Sequence, residues 1–171
     1  MAFTSRTPRR LFESLAGQTQ LRVLAVKWGD YEDLSVLTGM TELRHLWLDG
    51  ASSVRTLTPL ERLRELGVLR VESLRHVHDL SPLGQLTRLR DLVVGGDWRA
   101  PRTVHVDSLA FLAGLADLQR LVLHTLVSDD LDYSPLLRLR GLTDARVMAA
   151  PGMRPTHAEL RVAIPALAPA G

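Results

Sequence analysis

Apolar residues recur along this chain at a fixed step. Taking Leu21, Leu43, Leu66, Leu89, Leu118 and Leu142 as anchors, successive spacings are 22, 23, 23, 29 and 24 residues. Three residues after each anchor stand Leu24, Leu46, Leu69, Leu92, Leu121 and Ala145. Five after each stand Val26, Leu48, Val71, Val94, Leu123 and Val147. Apolar side chains two apart, with polar or small ones between, are the pattern of a half-buried strand. The pattern predicts six short strands lying side by side in one parallel sheet.

The stretch before each anchor keeps a different beat. Nine before come Phe12, Leu34, Leu57, Leu80, Leu109 and Tyr133; six before come Leu15, Leu37, Leu60, Leu83, Leu112 and Leu136. Three before come Gln18, Met40, Leu63, Leu86, Leu115 and Leu139. Steps of three fit a short helix, 3₁₀ or α, with one side inward. Thr58-Pro59, Ser81-Pro82 and Ser134-Pro135 put a capping residue beside a proline suited to a first helical position. Asp33, Thr56, Asp79, Ser108 and Asp132 precede these turns and are placed to accept from their free N–H groups. One such coil cannot bury its own apolar side, so coils must stack, and stability belongs to the array.

The paired phrases LGVLRV (66–71) and LRDLVV (89–94), with Asp79-Leu80-Ser81-Pro82-Leu83 between them, resemble bacterial leucine-rich repeats of the internalin type. Thr56-Leu57-Thr58-Pro59-Leu60 nearly repeats that turn, and the likeness covers about residues 12–148. The resemblance implies an α/β leucine-rich repeat solenoid. About six parallel strands would form its concave face, and short helical or 3₁₀ segments its convex face. It also implies protein recognition through the concave sheet and no catalytic activity. The chain departs from the family where an Asn is usual, eight after the anchor: Gly29, Ala51, Leu74, Asp97, Leu126 and Ala150 stand there.

The register divides the chain into an N-terminal cap over 1–20 (a half repeat with a short helix), repeats over 21–150, and a C-terminal cap over 151–171. Phe12 and Leu15 continue the register backwards, which predicts a helical cap over 8–17. Thr156-His157-Ala158-Glu159 has capping-box spacing and opens a helix carrying Leu160 and Ile164, which Pro165 ends, leaving 166–171 as a frayed tail. The long interval holds an insertion at 95–104, expected to project from the rim.

Alternation along a strand sends positions 2, 4 and 6 after each anchor to the open side. The binding candidates are Lys27, His45, Trp47, Asp49, Arg70, Glu72, Asp91, Val93, Arg120, Val122, His124 and Arg146, joined by Trp98 in the insertion. An indole on an open strand beside Arg70 has the composition of an interface hot spot; its bland alternative is an indole lying flat on its neighbours. Asp49 and Glu72 on one side, against Arg120 and Arg146 on the other, suggest a polarised partner or else a solvated charged face.

His76, His78, His105 and Asp107 recur at matching places in successive coils. They raise a metal site as one possibility and a simple inter-coil His78–Asp107 ion pair as the plainer one. No Gly-rich phosphate loop, HExxH or GxSxG is present, and catalysis finds no support in motif.

Composition narrows the setting. There is no Cys, which removes disulfides and Cys-based zinc. Net charge is +2 with both signs interspersed, so no nucleic-acid field is implied. The N-terminus lacks an apolar signal core, and no run approaches a membrane span. Arg is abundant while Lys27 and Ile164 stand alone in their kinds and Asn is absent, as a GC-rich bacterial genome would give. The expectation is a cytoplasmic, monomeric, non-enzymatic scaffold that binds another protein and needs no cofactor. The alternatives are a structural or self-assembling repeat module, a toxin-neutralising or defence-associated protein, and a metal-dependent enzyme at the His76/His105 edge.

Overall fold

The computed structural model describes residues 1–29, 32–97 and 102–169. The six expected strands are β2 (Val23–Lys27), β3 (His45–Asp49), β4 (Val68–Val71), β5 (Asp91–Gly95), β7 (Arg120–His124) and β9 (Asp144–Val147). All pair in parallel, and the register is the one the anchors give. Leu24, Leu46, Leu69, Leu92, Leu121 and Ala145 lie across from one another in a single row. Each of these six is buried.

Between strands the chain makes 3₁₀ turns at Ser35–Gly39, Thr58–Arg62, Ser81–Gln85, Ala110–Gly114 and Ser134–Arg138. Their capping follows the expected residues. The backbone N–H of Ser35, Ser81 and Ser134 donates to the carboxylates of Asp33, Asp79 and Asp132 at 2.7, 2.7 and 2.9 Å. Thr58 and Ala110 donate in the same way to the hydroxyls of Thr56 and Ser108. The hydroxyls of Thr58, Ser81 and Ser134 do not cap; the residue two earlier takes that role, and the prolines fill positions where no N–H is needed.

Where the related repeats carry Asn, main-chain bonds between coils hold the bend. Ala51 N–H donates to Glu72 O at 2.9 Å and Leu74 N–H to Gly95 O at 3.0 Å, and one position earlier in its own coil Gly96 N–H donates to His124 O at 2.8 Å. Ala51, Leu74 and Leu126 are fully buried and extend the core into the corner. Three coils leave the sheet through a left-handed residue at the same place, Gly50, Ser73 and Thr125. Only the first is a glycine, so the other two hold a conformation that costs an ordinary side chain about 1 kcal/mol or more.

The structure adds three elements that the period does not contain. β1 (Ala2–Arg6) pairs in parallel with β2, making the main sheet seven-stranded in the order β1-β2-β3-β4-β5-β7-β9. Residues 1–20 thus carry a strand as well as the short helix α1 (Arg9–Glu13). A second sheet joins β6 (Val104–Val106) to β8 (Leu126–Ser128) in parallel. At the other end, α2 (His157–Ala163) opens with the expected box: Glu159 N–H donates to the Thr156 hydroxyl and Thr156 N–H to the Glu159 carboxylate. The stretch beyond it is no frayed tail as far as Ala168. Ala145 N–H donates to Ala166 O and Ala168 N–H to Ala145 O, because the outer edge of β9 would otherwise leave those groups unpaired. Among the described residues no helix is long and apolar enough to cross a membrane.

Leu69 lies in the middle of the row with no exposed surface. Leu69→Ala should cost about 2–5 kcal/mol. Denaturant unfolding followed by circular dichroism should show one cooperative transition at lower denaturant; a midpoint unchanged from the parent would contradict the stacked core.

Candidate functional site

The open face of the main sheet is built from the residues between the buried rows. Its middle row runs Ala25, Trp47, Arg70, Val93, Val122 and Arg146 across adjacent strands. Trp47 keeps 37% of its surface exposed, one of the largest open apolar side chains of the protein. His45, two residues back on the same strand, meets the indole edge-on with centroids 6.3 Å apart. Lys27, Trp47, Asp49, Arg70 and Glu72 together line a cleft of about 440 Å³, with Asp97 at its edge. A second hollow of about 640 Å³ continues across Val93, Val122, His124 and Arg146, and Glu72 borders both. The sheet therefore brings together every sequence-derived candidate except Trp98, which lies outside the described residues.

The charges are not distributed as the columns suggested. Asp91 accepts from Arg70 at 3.3 Å and from Arg120 at 3.0 Å. Asp144, absent from the candidate set, accepts from Arg120 at 2.9 Å and stands 3.9 Å from Arg146. One ionic chain, Arg70–Asp91–Arg120–Asp144–Arg146, thus crosses β4, β5, β7 and β9. Burial pulls the Arg120 guanidinium pKa down, but its bonds to Asp144 and Asp91 outweigh that and the net shift is upward. Two aspartates thus offset most of the charge of the three arginines within the protein. Asp144 was legible as the residue two after an anchor; its role needed the geometry of its two arginine neighbours.

The acidic end differs. No ion pair among the described residues engages Asp49 or Glu72. Glu72 is half-buried, and its carboxyl is raised above the usual glutamate range, first by burial and then by repulsion from Asp49. Arg70 and His124 oppose that shift, and Asp97 adds to it.

Gly95 separates Glu72 from His124 in this row. A Cβ there would lie 1.9 Å from the His124 carbonyl oxygen, and φ is +150°. The notch is therefore bare of side chain by necessity. Beside it the His124 Nε2 and Thr125 Oγ1 are buried without a hydrogen-bond partner among the described residues. Val93 is only 8% exposed, since Arg70 and Val122 flank it in the row, so it floors the groove instead of projecting into it.

The histidine edge is arranged differently from either sequence expectation. His78 Nδ1 lies 3.0 Å from the His105 carbonyl, and His105 Nδ1 lies 2.7 Å from Asp129. His78 and Asp107 are joined through main chain, Asp107 N–H donating to His78 O, not through an ion pair. Parallel pairing staggers these side chains, and among the described residues no three His, Asp or Glu gather at metal-binding distance.

Solved structures share this architecture. An internalin, InlF, from Listeria monocytogenes superimposes with a TM-score of 0.63 at 16% identity, covering 91% of this chain and 48% of its own. The chain has the leucine-rich repeat fold. Internalin C2 of the same bacterium gives a TM-score of 0.50 at 20% identity over 83% of this chain and 76% of its own. The plant peptide hormone receptor RGFR1, solved in complex with RGF2, gives 0.57 at 16% identity over 78% of this chain and 22% of its own. This repeat protein thus spans about half the length of InlF. No protein-family model matches it, and no curated protein does.

Two outcomes check the site's physics. Gly95→Ala forces a clash with the His124 carbonyl and should cost at least about 2–3 kcal/mol in thermal unfolding. A neutral effect would mean the notch is not closed by backbone. Native Glu72 holds its proton more tightly than an unfolded glutamate, so its share of stability is present at acid pH and is lost as pH rises through the raised value. Glu72→Gln should then melt higher than the parent at pH 7 and the same as it below about pH 4. A difference that stays constant with pH would refute the shift.

Proposed function

We propose that this leucine-rich repeat protein is a non-enzymatic scaffold that binds another protein on the open face of its sheet. The observation that carries the reading is Trp47, an indole 37% exposed on a rigid strand, at the wall of a charged cleft. Aromatic residues in such positions supply large contact area at low ordering cost, and tryptophan and arginine dominate interface energetics. The sheet is already ordered by its core, so binding need not fold it. Residues 21–150 carry the surface, while 1–20 and 151–171 cover the two ends through β1 and the paired stretch Ala166–Ala168.

The protein should be purified from its native cells with its partners, which mass spectrometry then identifies. Trp47→Ala combined with Arg70→Ala should weaken capture of the partner about 30-fold or more, the loss expected from one hot spot or more. Thermal stability should change little, since Trp47 is exposed and surface ion pairs contribute at most about 1 kcal/mol. Retention of the same partner by the double variant rejects this face.

A further inference from the structure

The two halves of the open face differ in how their charge is spent, and that difference specifies the partner's chemistry. Along β4, β5, β7 and β9, Arg70, Arg120 and Arg146 share two aspartates, Asp91 and Asp144, so most of their charge is offset within the protein. On the side of β3 and β4, Asp49 and Glu72 sit across adjacent strands with no cation bound to either among the described residues. Lys27 flanks Asp49 in the register on β2 but makes no ion pair with it among the described residues.

Spacing makes these groups one receptor. Trp47 and Asp49 lie two residues apart on the same face of one strand, about 7 Å along it, and Glu72 lies one strand away, about 5 Å. A single long cationic side chain can lay its stem on the indole and set its charged head against both carboxylates. Apolar contact of the stem with the indole and charge-assisted hydrogen bonds from the head then act together. A neutral or acidic side chain placed there would leave a half-buried carboxylate facing Asp49 without compensation.

The cleft around Trp47 runs on, past Glu72, into the second hollow floored by Val93 and Val122. Such a trough across the strands fits chain in an extended form better than a single small cation. Resting on the binding function proposed above, we propose that the partner enters as an extended protein segment. A lysine or arginine of that segment seats on Trp47 against Asp49 and Glu72, and a neighbouring apolar residue seats over Val93 and Val122. The raised carboxyl of Glu72 agrees with this, because an arriving cation offsets the repulsion from Asp49 and stabilises the charged form that burial disfavours.

The test pans a phage-displayed random heptapeptide library on the immobilised protein and measures synthetic versions of the winners by fluorescence anisotropy. Winners should be enriched several-fold in Lys or Arg over the input library. Replacing that residue by norleucine should cost about tenfold or more in affinity, and so should Asp49→Asn with Glu72→Gln, whose folding circular dichroism verifies. Raising salt should weaken the same peptides. Winners that are acidic or purely apolar, yet lost with Trp47→Ala and Arg70→Ala, overturn this inference and leave the open face as the binding surface. Winners indifferent to those two substitutions overturn the face itself. A library that returns no binder to the parent protein counts against both.

Discussion

Every other feature of this chain answers to one constraint: a coil of some two dozen residues can bury its leucines only against the coils above and below it. Leu46, Leu69 and Leu92 have no exposed surface because each lies in register with its equivalents on both sides. Such a ladder tolerates no drift in the residues that form it. The 29-residue interval shows how the constraint is met. Across it the ladder keeps its register, with Leu92 opposite Leu121, and Val104 N–H donates to Thr125 O. After the interval β6 pairs with β8 in a second, two-stranded sheet.

The polar backbone obeys the same economy of position. At the turns, side-chain oxygens two residues upstream satisfy the first free N–H groups of the 3₁₀ segments. At the bends after β3, β4 and β5, N–H groups reach the next coil's carbonyls directly. That arrangement frees the corner for Ala51, Leu74 and Leu126, so a hydrogen-bonding row is exchanged for more apolar burial. It also brings backbone close to backbone. At Gly95 the approach to His124 leaves no room even for a methyl group.

Period and local chemistry were legible because they are written in the residues themselves. The six strands, the turn caps and the Thr156–Glu159 box could all be read from spacing. β1 could not, since Phe3 is its one large apolar residue and the strand is held by main-chain bonds to β2, which no side chain announces. The Ala166–Ala168 pairing escaped for the same reason. On the open face, alternation identified which side chains stand outward, Trp47 above all. It could not say which of them join: Asp91 lies within reach of two arginines from different strands, and that depends on rotamers and strand spacing. The polarity inferred from columns of charge is therefore clearest at Asp49 and Glu72, and Asp91 and Asp144 reduce it at Arg120 and Arg146.

Those ion pairs are exposed or half-exposed, and pairs of that kind contribute little to stability. Their consequence lies in placement. Arg70 is the middle-row neighbour of Trp47 and has the reach to cover the indole as a stacked guanidinium. Its Nη2 is instead drawn to Asp91 on the far side, and among the described residues no cation–π contact joins it to Trp47. On the other flank stands Ala25, too short to shield a ring. The indole is thus left open by one neighbour that is small and another that is held away. Beside it stand the exposed Asp49 and the half-buried Glu72, neither in an ion pair among the described residues. A fold whose stability rests chiefly on its buried ladder can carry that surface on the other side of its strands.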